Sequence, residues 1–124
     1  MKAEFHEPPR IFVVGVGDQI ELKDCGSIRL EPGEQITFTT GQGAEYDVTR
    51  KEWGFYATPS LNGRLSSFGL RGVLVRSSIG RYFVLLVEKG FEKSFEEYRS
   101  GEGLAVVAWF DDEVELARLH SALS

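Results

Sequence analysis

From Ile20 to Val48 the chain is cut into short segments by turn signals, and within each segment apolar and polar residues alternate. A helix needs apolar residues three and four apart over ten or so positions; runs this short that alternate can bury one side only as strands. Ile20-Glu21-Leu22-Lys23, Ser27-Ile28-Arg29-Leu30 and Gln35-Ile36-Thr37-Phe38-Thr39-Thr40 all carry the pattern. The separators are Asp24-Cys25-Gly26, Glu31-Pro32-Gly33-Glu34 and Gly41-Gln42-Gly43, and Ala44-Glu45-Tyr46-Asp47-Val48 follows as one more strand. In the second separator Pro32 presets φ and Gly33 supplies the positive φ that a type II turn requires. Such closely spaced turns point to an antiparallel sandwich or a partly open barrel.

The flanks extend that expectation. Residues 1–10, ending at Pro8-Pro9, read as a flexible lead-in without regular structure. Residues 11–124 read as one β-rich domain, opened by the β-branched run Ile11 to Val16. Trp53 to Thr58 continues the meander, and Asn62-Gly63 suits the centre of a type I′ hairpin turn. Leu70 to Arg76 and Arg81 to Val87 form the most hydrophobic strand pair. In Tyr82-Phe83-Val84-Leu85-Leu86-Val87 both alternating sides are apolar, which predicts cover on each. Phe91, Phe95 and Tyr98 fall on one stripe of a helix ended by Gly101. Leu104 to Phe110 reads as a buried strand. Asp112 with Glu115 has capping-box spacing ahead of a last helix carrying Val114, Leu116, Ala117, Leu119 and Leu123. The expected fold is thus a mainly β (α+β) antiparallel domain with two short C-terminal helices covering one face.

At 124 residues with 42% hydrophobic content the chain suits a single core. A net charge of −5 argues against broad nucleic-acid binding, which needs a basic excess. The only cysteine, Cys25, excludes an internal disulfide and a cysteine-rich zinc site. The N-terminus lacks a signal-peptide core and no apolar run approaches a membrane span, so the expectation is a cytoplasmic protein with no membrane association.

Candidate chemistry is sparse. Gly15-Val16-Gly17 lacks the third glycine and the following helix of a dinucleotide fingerprint, and reads as a turn. His6 and His120 stand at opposite ends of the chain, and no metal-spaced pair exists; neither a metal nor a cofactor is expected. Asp24 beside Cys25 raises a thiol pKa, so the cysteine reads as a partly buried structural residue. Asp111-Asp112-Glu113 suits a helix start. The turn Glu31-Pro32-Gly33-Glu34 resembles the PGE turn of cupin-type small-molecule domains. The histidines that hold a cupin metal do not follow it here, which leaves at most a degenerate cupin-like barrel.

Charge is the more telling feature. Residues 50–89 sum to +5, leaving −10 for the remainder. Inside this stretch lies Trp53-Gly54-Phe55-Tyr56-Ala57-Thr58-Pro59-Ser60-Leu61-Asn62-Gly63-Arg64-Leu65. The bland reading makes its aromatics core residues of a strand. The sharper one makes it a loop whose Trp53 and Tyr56 stack on a ligand while Asn62 and Arg64 bond to it, with Arg76 and Arg81, paired across a hairpin loop, holding an anion. The run Trp53 to Leu65 also resembles an uncharacterised family of short bacterial proteins; the resemblance covers most of the chain and implies no known activity. Two functional expectations follow. One is a non-enzymatic binding or accessory module for an anionic small molecule or an acidic partner protein. The other is a small enzyme acting on a sugar or acyl compound with arginine and carboxylate groups, Asp47, Glu52 and Glu88 being nearest. Homo-oligomerisation through the aromatic run is a third expectation.

Overall fold

The computed structural model describes residues 1–124. Strands β1 (Lys2–Val14) and β2 (Ile20–Arg29) form a two-stranded ribbon. Strands β3 (Gln35–Thr39), β4 (Glu45–Lys51) and β5 (Gly54–Tyr56) form a second sheet in the order β3-β4-β5. Strands β6 (Leu70–Arg76), β7 (Tyr82–Glu88) and β8 (Ala105–Trp109) form a third, in the order β7-β6-β8. All neighbours run antiparallel. Helix α1 (Arg64–Ser67) leads into β6, α2 (Glu92–Glu102) crosses from β7 to β8, and α3 (Glu113–Leu123) follows β8. The architecture is mainly β with short C-terminal helices, as the sequence predicts, and no barrel closes.

The principal core lies between the third sheet and α2. Val73 and Val75 of β6 and Val87 of β7 meet Phe95, which stands edge-on to Trp109 at 5.6 Å. A smaller cluster of Ala44, Leu65 and Leu70 joins the second sheet to the third. Helix α2 ends at Gly103, whose φ of 69° is left-handed, two residues beyond the expected stop at Gly101. The predicted cap of α3 is present: Asp112 accepts from the amides of Val114 and Glu115. Yet α3 buries no residue.

Several local expectations are overturned, the buried strand at Leu104 to Phe110 among them, since β8 buries no residue. Residues 2–10 are not a lead-in but most of β1. The register shifts between Phe5 and Arg10, so Pro8 and Pro9 occupy a bulge where the missing N–H groups cost no ladder bond. Asp24-Cys25-Gly26 runs through β2 rather than turning, and Cys25 is exposed rather than partly buried. Asn62-Gly63 does not make a hairpin but opens α1. Arg64 N–H donates to Ser60 Oγ at 2.8 Å and Leu65 N–H to the Ser60 carbonyl at 3.1 Å, which closes a helical turn and buries Leu65 completely. The strand Tyr82–Val87 is covered only near its end: Tyr82, Phe83 and Val84 are exposed and Val87 is buried.

The ribbon stands apart from these cores. Its hydrogen bonds to the rest of the chain lie at its two ends. The Met1 amino group donates to Glu34, and at the tip the amides of Val16 and Gly17 donate to the Glu102 carboxylate at 2.6–3.1 Å. Thirteen residues of strand make β1 about 40 Å long. Between its ends, Phe5, Ile11, Phe12 and Val13 are exposed.

Candidate functional site

Alternation sorts the second sheet into two unlike sides. Gln35, Thr37, Asp47, Thr49, Lys51 and Tyr56 share one; Ile36, Phe38, Tyr46, Val48 and Phe55 share the other. The polar side is stitched across strands. Thr37 Oγ1 donates to Asp47 Oδ1 at 2.7 Å, and Thr49 Oγ1 to Gln35 Oε1 at 2.9 Å. The segment through Pro59, Ser60 and Arg64 folds over this side and walls a hollow of about 370 Å³. Gln35, Asp47, Thr49, Lys51 and Tyr56 form its floor and rim.

The hollow carries two cations and one carboxylate. Arg64 reaches Asp47 Oδ2 with Nε and Nη2 at 3.4 and 3.3 Å, long for an arginine–carboxylate pair, and its guanidinium lies 4.4 Å from the centre of the Phe68 ring. Asp47 is therefore shared between Thr37 and a loosely held arginine. Lys51 makes no ion pair. Three hydroxyls (Thr49, Tyr56, Ser60) and the Gln35 amide complete the lining. One net positive charge among hydroxyls and an amide suits a hydroxyl-bearing anion.

Of the six residues singled out from the sequence, the structure brings Tyr56 and Arg64 together here. Asn62 is adjacent in the chain but donates instead to Glu113 at 3.0 Å, tying the loop to α3. Trp53 sits in the β4–β5 turn, 74% exposed, away from the hollow. Arg76 and Arg81 flank the β6–β7 turn at the far end of β6, roughly 20 Å along the strand from α1. There Arg76 lies 5.8 Å from the Tyr82 ring, while Arg81 edges a separate groove of about 380 Å³ with Ser77, Ser78 and the apolar Phe83, Leu85 and Tyr98. The positive residues thus divide between two ends of the molecule.

The sequence groups Lys51 with Arg64 only as charges of one basic stretch; Gln35 is legible as a polar position of an alternating strand, and Thr49 lies beyond the strand expected to end at Val48. Arg71 is a different case. It donates to both Asp111 oxygens at 2.7 and 3.2 Å and to Glu92 at 3.3 Å, and lies 4.1 Å from the centre of the Trp109 ring. The Asp111 hydrogen bonds hold its pKa above the ordinary arginine value. Its charge is committed to joining β6, α2 and the β8–α3 corner. Arg50 is likewise committed, to the Gly54 carbonyl at 3.0 Å and the Phe55 ring.

The carboxylates nearest the basic stretch do not converge. Asp47 lines the hollow, Glu88 accepts from Thr40 Oγ1 at 2.9 Å, and Glu52 lies in the β4–β5 turn. No helix is long and apolar enough to cross a membrane. Comparison of the chain with protein-family models, with curated proteins and with solved structures finds no match, so the resemblance of the run Trp53 to Leu65 carries no family assignment.

Proposed function

We propose that this protein is a non-enzymatic binding or accessory module whose ligand is a small, hydroxyl-bearing anion held on the polar side of the β3-β4-β5 sheet. The observation that carries this reading is the placement of Lys51 and Arg64 around one hollow with three hydroxyls and only one carboxylate. Arg64 is the anion's main partner. Its side chain is half-exposed and its bonds to Asp47 are long, so the guanidinium can make shorter ones to a phosphate or carboxylate, while Asp47 keeps the Thr37 hydroxyl. Tyr56 and Ser60 then bond the ligand's hydroxyls. The size of the hollow, about 370 Å³, suits a small molecule rather than a protein segment. The separation of Arg76 and Arg81 from this site also argues against one broad basic face for an acidic protein.

Isothermal titration with sugar phosphates, matched neutral sugars and an acidic peptide tests the proposal. Sugar phosphates bind, neutral sugars bind at least about tenfold more weakly, and Arg64→Ala removes the difference, the usual scale for a charge-assisted contact. Binding of the acidic peptide alone, or sugar-phosphate binding that survives both Arg64→Ala and Lys51→Ala, overturns it.

A further inference from the structure

We infer that the groove beside the β6–β7 turn is a second ligand site, one that takes a free carboxylate with a short apolar chain. Its floor is the open margin of the principal core. Phe83, Leu85 and Val87 share one side of β7, and Val75 and Val73 face Phe83 and Leu85 across the ladder. Phe95 of α2 packs on Val73, Val75 and Val87. Toward the turn that cover stops: Leu85 is only half-buried and Phe83 is 46% exposed. Tyr98 of α2 and Leu104 after it wall the space, and about 380 Å³ stays unfilled. That volume is at the small end of ligand pockets.

The ribbon tip supplies a further edge through Val16. It is fixed there by the Val16 and Gly17 amides, which donate to Glu102 at 2.6–3.1 Å. Gly17 also approaches the Gly101 carbonyl so closely that a Cβ on it would collide with that oxygen.

The polar groups of the groove gather at the turn and set the chemistry of the ligand. Ser77, Ser78 and Arg81 stand there, and the apolar Phe83, Leu85, Tyr98 and Leu104 lie beyond them. The turn itself is held by its own backbone. Arg81 N–H donates to Ser77 Oγ at 3.1 Å, and Ser77 N–H to the Arg81 carbonyl at 2.8 Å. The Arg81 guanidinium has no carboxylate partner in the chain. Glu102 is the other charged residue of the lining, and its oxygens are taken by the two ribbon amides. Arg76 adds no second charge: it pairs with Tyr82 in the ladder, on the side away from Phe83, and lies 5.8 Å from the Tyr82 ring. One unpaired cation with two hydroxyls, opening onto an apolar floor, matches a singly charged carboxylate with a hydrocarbon body. A phosphate monoester, nearly doubly charged, would leave charge unmet. The groove shares no residue with the hollow on the β3-β4-β5 sheet, and neither site depends on the other.

Titration of octanoate into the isotope-labelled chain, followed by amide chemical shifts, tests the inference. Shifts are expected to gather at Ser77 to Phe83, at Tyr98 to Leu104 and at Val16. Hexanoate, two methylenes shorter, binds roughly tenfold more weakly, the effect of the apolar area it leaves unburied. Arg81→Ala weakens octanoate by about tenfold and leaves octanol unchanged, as loss of a charge-assisted contact does. Lys51→Ala leaves octanoate unchanged, which separates this site from the hollow. Should Arg81→Ala fail to fold, the unmodified chain still decides, because octanoate then has to bind at least about tenfold more tightly than octanol. Octanoate that binds no better than octanol, shifts centred on Phe38 and Phe55 instead, or octyl phosphate binding more tightly than octanoate overturns the assignment. So does pelleting with phosphatidylglycerol vesicles by a chain that has no affinity for octanoate.

Discussion

The two sides of the β3-β4-β5 sheet are made by the same three strands and have opposite fates. On the polar side the cross-strand pairs Thr37–Asp47 and Gln35–Thr49 satisfy one another, and the segment ending at α1 closes over them. On the apolar side Phe38 stacks on Tyr46 at 5.9 Å, Ile28 and Leu30 reach its margin, and nothing in the chain covers the rest. Polar groups on a strand can be satisfied by their neighbours and by water; apolar ones need a second layer. The polar side is therefore finished within one chain, and the apolar side is left open.

The largest effect that sharpens this contrast is expected from Leu65→Ala. Leu65 is fully buried and anchors the segment that walls the hollow, so truncation costs about 2–5 kcal/mol in urea unfolding. Phe55→Ala on the open side costs about 1 kcal/mol, because the ring is already more than half exposed. Equal costs for the two would abolish the distinction between a closed and an open side.

A smaller effect is expected at the wall of the hollow. Ser60→Ala removes the hydroxyl that accepts the Arg64 amide and destabilises the start of α1 by about 1 kcal/mol, visible as a lower urea midpoint. It also weakens sugar-phosphate binding. Unchanged binding in this variant would take Ser60 out of the ligand contacts.

The smallest effect concerns the ribbon tip. Glu102 is held below the ordinary carboxylate range first by the Val16 amide and then by that of Gly17. A depressed folded pKa means the contact contributes fully above the unfolded value and is lost as pH falls through the lower folded value. Hydrogen-exchange protection at Val16 and Gly17 is expected to fall as the solution is acidified through that window, and to be low at every pH in Glu102→Gln. Protection that persists in the variant would place the tip's attachment elsewhere.

Local signals were read well from the sequence. The alternation of Gln35–Thr39, the turn at Pro32-Gly33, the Phe95 stripe of α2 and the Asp112 cap each arise from residues a few positions apart, and each is present. Where a local signal failed, a different contact outweighed it. Pro8-Pro9 signals a break, but a bulge absorbs it; Asn62-Gly63 signals a hairpin, but the bond from the Arg64 amide to the Ser60 hydroxyl and the burial of Leu65 draw the chain into α1. Of the candidate site, the sequence supplied Tyr56 and Arg64 and misplaced their company. Lys51, Asp47 and Thr49 arrive beside Arg64 through β4 and the fold of residues 59–64, and no spacing in the chain encodes that approach.

By itself the sequence determined a mainly β chain with short C-terminal helices, strands with one polar and one apolar side, and a basic middle in an acidic whole. Those properties depend on side-chain period and composition, which any reader of the chain can count. Only the tertiary structure decided that the basic residues divide between two ends of β6, that Arg50 and Arg71 are committed to structural contacts, and that the ribbon leaves an apolar side uncovered. These depend on which elements meet in space, and meeting is set by the packing of Val73, Val75, Val87 and Phe95, which fills one side of one sheet and leaves no apolar layer for the other.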